Sequence, residues 1–268
     1  MATLAVSHPL PLNRPFGASL NIFAKETKYE FLKLLRTKSF SLAVIGFPVI
    51  FYALFGLADR SMHTDGIGMA KYMLGGYASF GMVGAALFGI GVGLASERSA
   101  GWLELKRSSP MPPMAYLLAK CVTAQAFGLI IVGILMGLAT AFGGVHLSLA
   151  EGAHMVAVAL AGTVPFAAMG LLVALIVPAN AASGIVNLIY LPLSMMGGLW
   201  IPIYMLPKWL RVIAPYTPTF HLNQLMLSSF GYQSHSHTLA EHWIGLAGFL
   251  LVMLGASWAV FHRSEQNS

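Results

Sequence analysis

The sequence is short of charge. Only 24 of its 268 residues are Lys, Arg, Asp or Glu, or 9%, where an ordinary globular domain carries roughly a quarter. A water-soluble fold of this size has too few charges to cover its surface, and a composition that is 57% hydrophobic suits lipid as the solvent. Acidic residues are scarcest, nine in all, and none stands near the middle of a long apolar run. Ion-coupled carriers place an ionisable group there, so a carrier powered by its own ion gradient is disfavoured. Cysteine occurs once, at Cys121, which forbids an internal disulfide and leaves the redox compartment unread. Residues 1–14 contain prolines and no apolar stretch, which argues against a cleavable signal peptide.

Catalytic signatures are missing as well. The chain has no H-E-x-x-H, no G-x-S-x-G and no phosphate-binding G-x-x-x-x-G-K-[ST]. A membrane-embedded enzyme is disfavoured, and any nucleotide chemistry must sit on another chain. Gly89-x-Gly91-x-Gly93 lies inside an apolar run and reads as helix-packing material. His235, His237 and His242 are joined by no cysteine or carboxylate cluster and read as a polar loop, so no metal site is expected.

What the chain does have is long apolar runs. Six meet the span length of roughly 17–25 residues: 40–58, 72–95, 121–142, 153–177, 182–201 and 243–261. They are too long, and alternate too little, for barrel strands. A helix satisfies its own backbone hydrogen bonds in lipid, so the expected fold is an all-α integral membrane protein of six spans. The basic residues set the orientation. With the amino terminus inside, eleven of the fifteen fall inside, and only Arg60, Lys71, Lys208 and Arg211 fall outside. Both termini are therefore expected in the cytoplasm. The chain divides into an extension at 1–19, an amphipathic interface helix at 20–38, the six-helix domain at 39–262 and a tail at 263–268. Gly89-x-x-x-Gly93 and Gly133-x-x-x-Gly137 suit close helix packing, within one chain or across a dimer.

Three segments outside the spans stand out. In residues 20–38, Phe23, Thr27, Phe31, Leu34 and Leu35 share one helix face, with Lys25, Lys28, Lys33 and Arg36 off it. Such a helix lies along a membrane surface, either as an anchor or as a docking surface for a cytoplasmic partner. The loop after the second span, from Glu97 to Arg107, holds five of the 24 charges and runs into Pro110, Pro112 and Pro113. It reads as a solvated loop or as a lever for a soluble partner. The segment from Pro202 to Glu241 is too long for a turn. It is expected to form short re-entrant outer helices carrying an aromatic belt of Trp200, Tyr204, Trp209, Tyr216 and Tyr232.

These residues, in this order, resemble the permease subunit of type-2 ABC exporters. The resemblance rests on three groups of residues. The first is Lys25-Glu26, Leu34-Leu35-Arg36, Pro48 and Phe55-Gly56. The second is Glu97-Arg98-x-x-Gly101-Trp102-x-Glu104 with Pro110 and Ala119-Lys120. The third is Gly197-Gly198, Leu206-Pro207-Lys208-Trp209-Leu210 and a proline at 215 or 218. Trp102 in place of a small residue and Ala119 in place of glycine depart from the family pattern.

The resemblance implies a permease that hydrolyses nothing itself. It implies two permease copies or homologues around a central path, and two ATPase subunits binding ATP and Mg beneath them. It further implies a bacterial cytoplasmic membrane and export of an amphipathic, lipid-like or drug-like substrate. Lys25, Glu26, Arg36, Glu97, Arg98, Gly101 and Glu104 would couple to the ATPase. Ser79, Asn187, Ser194, Gly197 and Gly198 would line the path. A related membrane subunit serving stress sensing or resistance is the alternative, with an ion-coupled carrier behind it.

Overall fold

The computed structural model describes residues 16–58, 63–64, 66–102, 113–232 and 237–266. Among them, six helices are long and apolar enough to cross a membrane. Helix α1 (Phe16–Arg36) precedes them. The first span is α2 (Lys38–Phe51), extended by a π-helical turn at Tyr52–Gly56. The second is α3 (Met69–Ala86), continued by a π-helical turn (Leu87–Val92) and α4 (Gly93–Ser99). Then come α5 (Pro113–Ala141), α6 (Leu149–Ile176) and α7 (Ala179–Met196). Short helices α8 (Lys208–Ile213) and α9 (Pro218–Leu227) lead to the last span, α10 (Leu239–Gln266).

The second span is the hub. It is 83% buried, against 11% for the sixth and 22% for the first and fifth. Helix α3 packs on α2, α5, α6 and α9, and small residues let it do so. A Cβ on Gly76 would stand 2.4 Å from the Leu199 carbonyl oxygen. Below it, Gly91 and Gly170 bring the second and fourth spans into backbone contact. A Cβ on Gly170 would meet the Gly91 nitrogen at 3.2 Å and the Ala86 oxygen at 3.1 Å. Glycine thus replaces side-chain interdigitation with direct backbone packing.

Local signals explain the element ends. Ser148 and Glu151 form a reciprocal capping box at the start of α6. Thr217 caps α9, and Pro218 occupies its first turn. Helix α7 stops at Gly197, and Gly198 takes a φ of +71°. Gly56 leaves room for the Tyr52 ring, which folds back over it while the Tyr52 hydroxyl donates to the Ala70 carbonyl.

Three features differ from the sequence reading. The second span runs from Met69 to Ser99, longer at both ends than 72–95, because the charged residues at its end are held by partners far away in sequence. The fifth helix ends at Met196 rather than 201, because the Gly197-Gly198 turn intervenes. A two-residue antiparallel ladder also forms in the loop after the first span, pairing His63 with Gly68 and Thr64 with Ile67. Gly66 supplies the positive φ of +86° there. Of the two glycine pairs, Gly89 packs within the chain against Leu34 and Phe40, while Gly133 and Gly137 face open space.

Candidate functional site

Four charged side chains and a phenol converge where α1, α4 and α5 meet. Lys120 of α5 lies 2.5 Å from Glu30 of α1 and 3.1 Å from Glu97 of α4. Lys33, one turn after Glu30, pairs with Glu97 and lies 3.4 Å from Glu30. The Tyr116 hydroxyl donates to the other oxygen of Glu97, and its ring lies 5.0 Å from the Lys120 ammonium. Glu30, Glu97 and Lys120 are buried and Lys33 is half-exposed. Two carboxylates against two ammonium groups leave the cluster formally neutral, as burial requires. The cluster fastens three separated segments at one end of the molecule.

Arg98, beside Glu97, reaches the other way. Its guanidinium donates to the Leu175 carbonyl and, at 3.0 Å, to the Val177 carbonyl. These are carbonyls at the carboxyl end of α6, which carries partial negative charge and lacks intrahelical donors. Gly101, with a φ of +73°, then ends the α4 segment.

The opposite end carries its own ion pair. Lys71 lies 2.7 Å from Glu151, joining the second span to the fourth. A helix rising 1.5 Å per residue separates Lys71 from Glu97 by about 39 Å, more than the roughly 30 Å of a hydrocarbon core. Both clusters can thus stand in the polar zones. Near the Lys71 end, the Nδ1 atoms of His221 and His242 are 3.0 Å apart, and His237 lies 2.9 Å from Glu241. Burial, then the neighbouring His237, pushes the His221 imidazole below its ordinary value. Among the described residues no three His, Cys, Asp or Glu side chains converge as metal ligands; His235 lies outside the described residues.

The turn after α7 is a hydrogen-bond hub. Asn223 of α9 donates to the carbonyls of Gly197 and Gly198 at 3.3 and 2.9 Å, and Tyr72 donates to Gly198 at 3.3 Å. A Cβ on Gly197 would collide with Thr219 at 2.5 Å. Helix α9 is buried among α3, α6, α7 and α10. Short helices are thus present between the fifth and sixth spans, and α9 packs among the spans. Trp209 and Tyr216 remain exposed beside it.

The profile of the ABC-2 type transporter family matches residues 24–230, which includes the ion cluster at one end and the Lys71–Glu151 pair at the other. The chain belongs to the ABC-2 type transporter family. It is also 26% identical over 202 residues to "Putative transport permease YvfS" of Bacillus subtilis (strain 168), covering 75% of this chain and 82% of that one. This ABC-2 protein is therefore a multi-pass membrane transport permease rather than an enzyme.

The structure sorts the residues singled out from the sequence of this permease. Lys25 and Arg36 are exposed, and Glu26 is half-buried. Glu97 is not a free surface carboxylate but the centre of the ion cluster. Glu104 lies outside the described residues. On the fifth span Asn187 is exposed, whereas Ser194 is buried with its hydroxyl donating to the Tyr190 carbonyl. Ser79 is buried with no hydrogen-bond partner among the described residues. The sequence reading missed Glu30 and Tyr116 altogether. A signal existed for Glu30: an acid in a basic segment, three residues before Lys33 and one before an apolar-face Phe31.

Proposed function

We propose that this permease is the membrane subunit of an ATP-driven exporter, and that a separate ATPase docks at the end carrying α1 and Glu97. The observation that carries this reading is the buried Glu30–Lys33–Glu97–Lys120 cluster. It turns α1, α4 and α5 into one mechanical unit at one end of the six spans. Exposed Lys25 and Arg36, half-buried Glu26 and the Gly101 turn form the face the ATPase meets. Glu97 and Arg98 act behind that face as positioning residues. ATP and Mg bind the partner. Both termini lie in the cytoplasm, following the eleven-to-four bias in basic residues, and the membrane is the bacterial cytoplasmic membrane.

Two copies, or this chain and a homologue, pair across the lightly buried α7, with Asn187 facing the path between them. Ser79, Ser194, Gly197 and Gly198 shape that path from behind, by setting the course of α3 and α7. A surface that is apolar yet offers an amide suits an amphipathic, lipid-like or drug-like cargo.

Co-expression with an ATPase encoded beside this gene, followed by reconstitution, tests the reading. Cargo-stimulated ATP hydrolysis that is lost in Glu97→Gln while the assembled complex persists supports it. Unchanged coupling in that variant would remove Glu97 from the pathway. Cysteine probes at Ser99 should react only after permeabilisation, while probes at Ser61 and Ser234 should react from outside. External labelling at Ser99 would overturn the orientation. Bulky replacement of Asn187 should block transport and leave ATPase docking intact.

A further inference from the structure

At the Lys71 end, a second group of ionisable side chains joins α9 to α10. His221 of α9 is half-buried and His242 of α10 is buried. Their Nδ1 atoms lie 3.0 Å apart. A Cβ on Gly245 would stand 2.5 Å from the His221 Nε2, so a glycine there lets the ring rest on the α10 backbone. Phe220 lies edge-on to the rings of His221, His237 and His242, with centroids 5.6, 6.2 and 5.5 Å away. Around α9, α10 contributes His242 and Glu241, and the residues just before it contribute His237, which lies 2.9 Å from Glu241. Helices α3 and α6 contribute Lys71 and Glu151, which neutralise each other, and α6 adds exposed His154. Helix α7 carries no charged residue.

The contact between the two Nδ1 atoms survives in some protonation states and not in others. One Nδ1 must carry a hydrogen and the other a lone pair. Two neutral imidazoles meet this condition, and so does an imidazolium beside a neutral imidazole. Two imidazolium rings do not: each Nδ1 then carries a hydrogen, and two positive charges face each other. The closed contact therefore holds at most one extra proton, whereas separated rings bind two. Burial, then the neighbouring His237, already holds the His221 imidazole below its ordinary value. The closed state carries a further cost. The Nε2 of His242 and the Oε1 of Gln224, one turn on from His221, are buried without hydrogen-bond partners among the described residues. Below about pH 6.5, each proton taken up on opening raises the opening constant about tenfold per pH unit.

We propose that the His221–His242 pair is a proton-operated latch, which holds α9 against α10 at neutral pH and releases it when the medium at that end turns acidic. The less buried His221 takes the first proton and the latch stays shut. The second proton parts the rings. Thr219 and Asn223 of α9 donate to carbonyls at the end of α7, so a shift of α9 is passed to the fifth span. The permease thereby answers to acidity. That the acidity is external rests on the orientation proposed above.

The test uses the full chain in lipid nanodiscs, with Cys121→Ala as background. Gln224→Cys, at a buried position of α9, reports opening by its rate of reaction with a water-soluble disulfide reagent. Each rate is divided by that of Ser234→Cys, which cancels the thiol's own response to pH. With both histidines present the ratio should rise about tenfold between about pH 6.5 and 5.5 for each proton taken up. His242→Asn keeps a hydrogen-bonding group near the Nδ1 position but takes no proton, and should flatten the rise; His221→Asn should do the same. A ratio independent of pH with both histidines present, or an undiminished rise in both Asn variants, would overturn the latch. So would a slowing of the reaction by micromolar zinc at neutral pH that both Asn variants abolish, because the pair would then be a metal site. Both faces of a nanodisc are open to the reagent, so this ratio tests the latch apart from the orientation. Failure of Ser234→Cys to label in intact cells would refute the orientation and, with it, external sensing.

Discussion

Lys120→Ala is the sharpest probe of the ion cluster. The Lys120 side chain is 1% exposed and lies within 3.1 Å of two carboxylates, whereas that of Lys33 is 48% exposed. Removing the buried ammonium leaves Glu30 and Glu97 facing one another beside half-solvated Lys33. Breaking a buried pair from one side costs about 3–5 kcal/mol. The same change at Lys33 removes an ammonium that water already screens, and should cost about 1 kcal/mol or less. Expressed as an unfolding equilibrium, the two variants should differ by roughly 1.5 to 3.5 orders of magnitude, at 1.4 kcal/mol per tenfold. Reversible unfolding in mixed micelles, followed by far-UV circular dichroism, reads both. Lys120→Met combined with Glu97→Gln should recover most of the loss, since no uncompensated charge then remains from that pair. Equal costs for Lys33→Ala and Lys120→Ala, or no recovery in the double variant, would refute the reasoning.

Other perturbations have equally definite outcomes. Gly76→Ala places a methyl group against the Leu199 carbonyl and should destabilise by about 1–3 kcal/mol in the same unfolding assay. Gly133→Ala meets nothing within 4 Å and should instead stabilise an isolated chain by about 0.5–1 kcal/mol through helix propensity; a loss seen only in assembled complexes would mark this face as an interface. Arg98→Ala strips two carbonyls at the end of α6 of a charged donor and should cost about 1.5–3 kcal/mol, with Arg98→Lys recovering only part because one ammonium cannot span both carbonyls. Burial and the neighbouring His237 hold the His221 imidazole below its ordinary value in the folded state, so the unfolded chain binds the extra proton first. Stability from this group is complete above about pH 6.5 and falls as pH drops from there toward the folded pKa. Hydrogen exchange in α9 should accelerate over that window in wild type and less so in His221→Phe.

The six spans were legible because each is a long apolar run, and length and hydropathy are properties a single sequence carries. The residues ending the spans were partly legible. Gly101, Gly197-Gly198 and Pro218 are the residue types that turns and caps demand. The state of Glu97 was not legible. By composition it opens a charged loop, but in the fold it closes a helix and is buried. Its partners Lys33, Tyr116 and Lys120 come from other helices, and no periodicity announces a contact between segments so far apart. The same holds for α9. Its Thr219 and Asn223 read as moderately polar positions of an outer segment, and only the carbonyls of Leu193, Gly197 and Gly198 make their burial affordable.

The backbone contact between Gly91 and Gly170 has a mechanical consequence. Two helices separated by side chains can slide by rotamer changes, whereas two that touch through peptide planes have nothing to deform between them. The second and fourth spans are held a second time by Arg98 at the α6 carboxyl end, and a third time by Lys71 and Glu151 at the far end. Pinned at three levels, they behave as one rigid strut. A load applied near Glu97 is therefore shared by both spans. The displacement it produces falls on the lightly buried first, fifth and sixth spans.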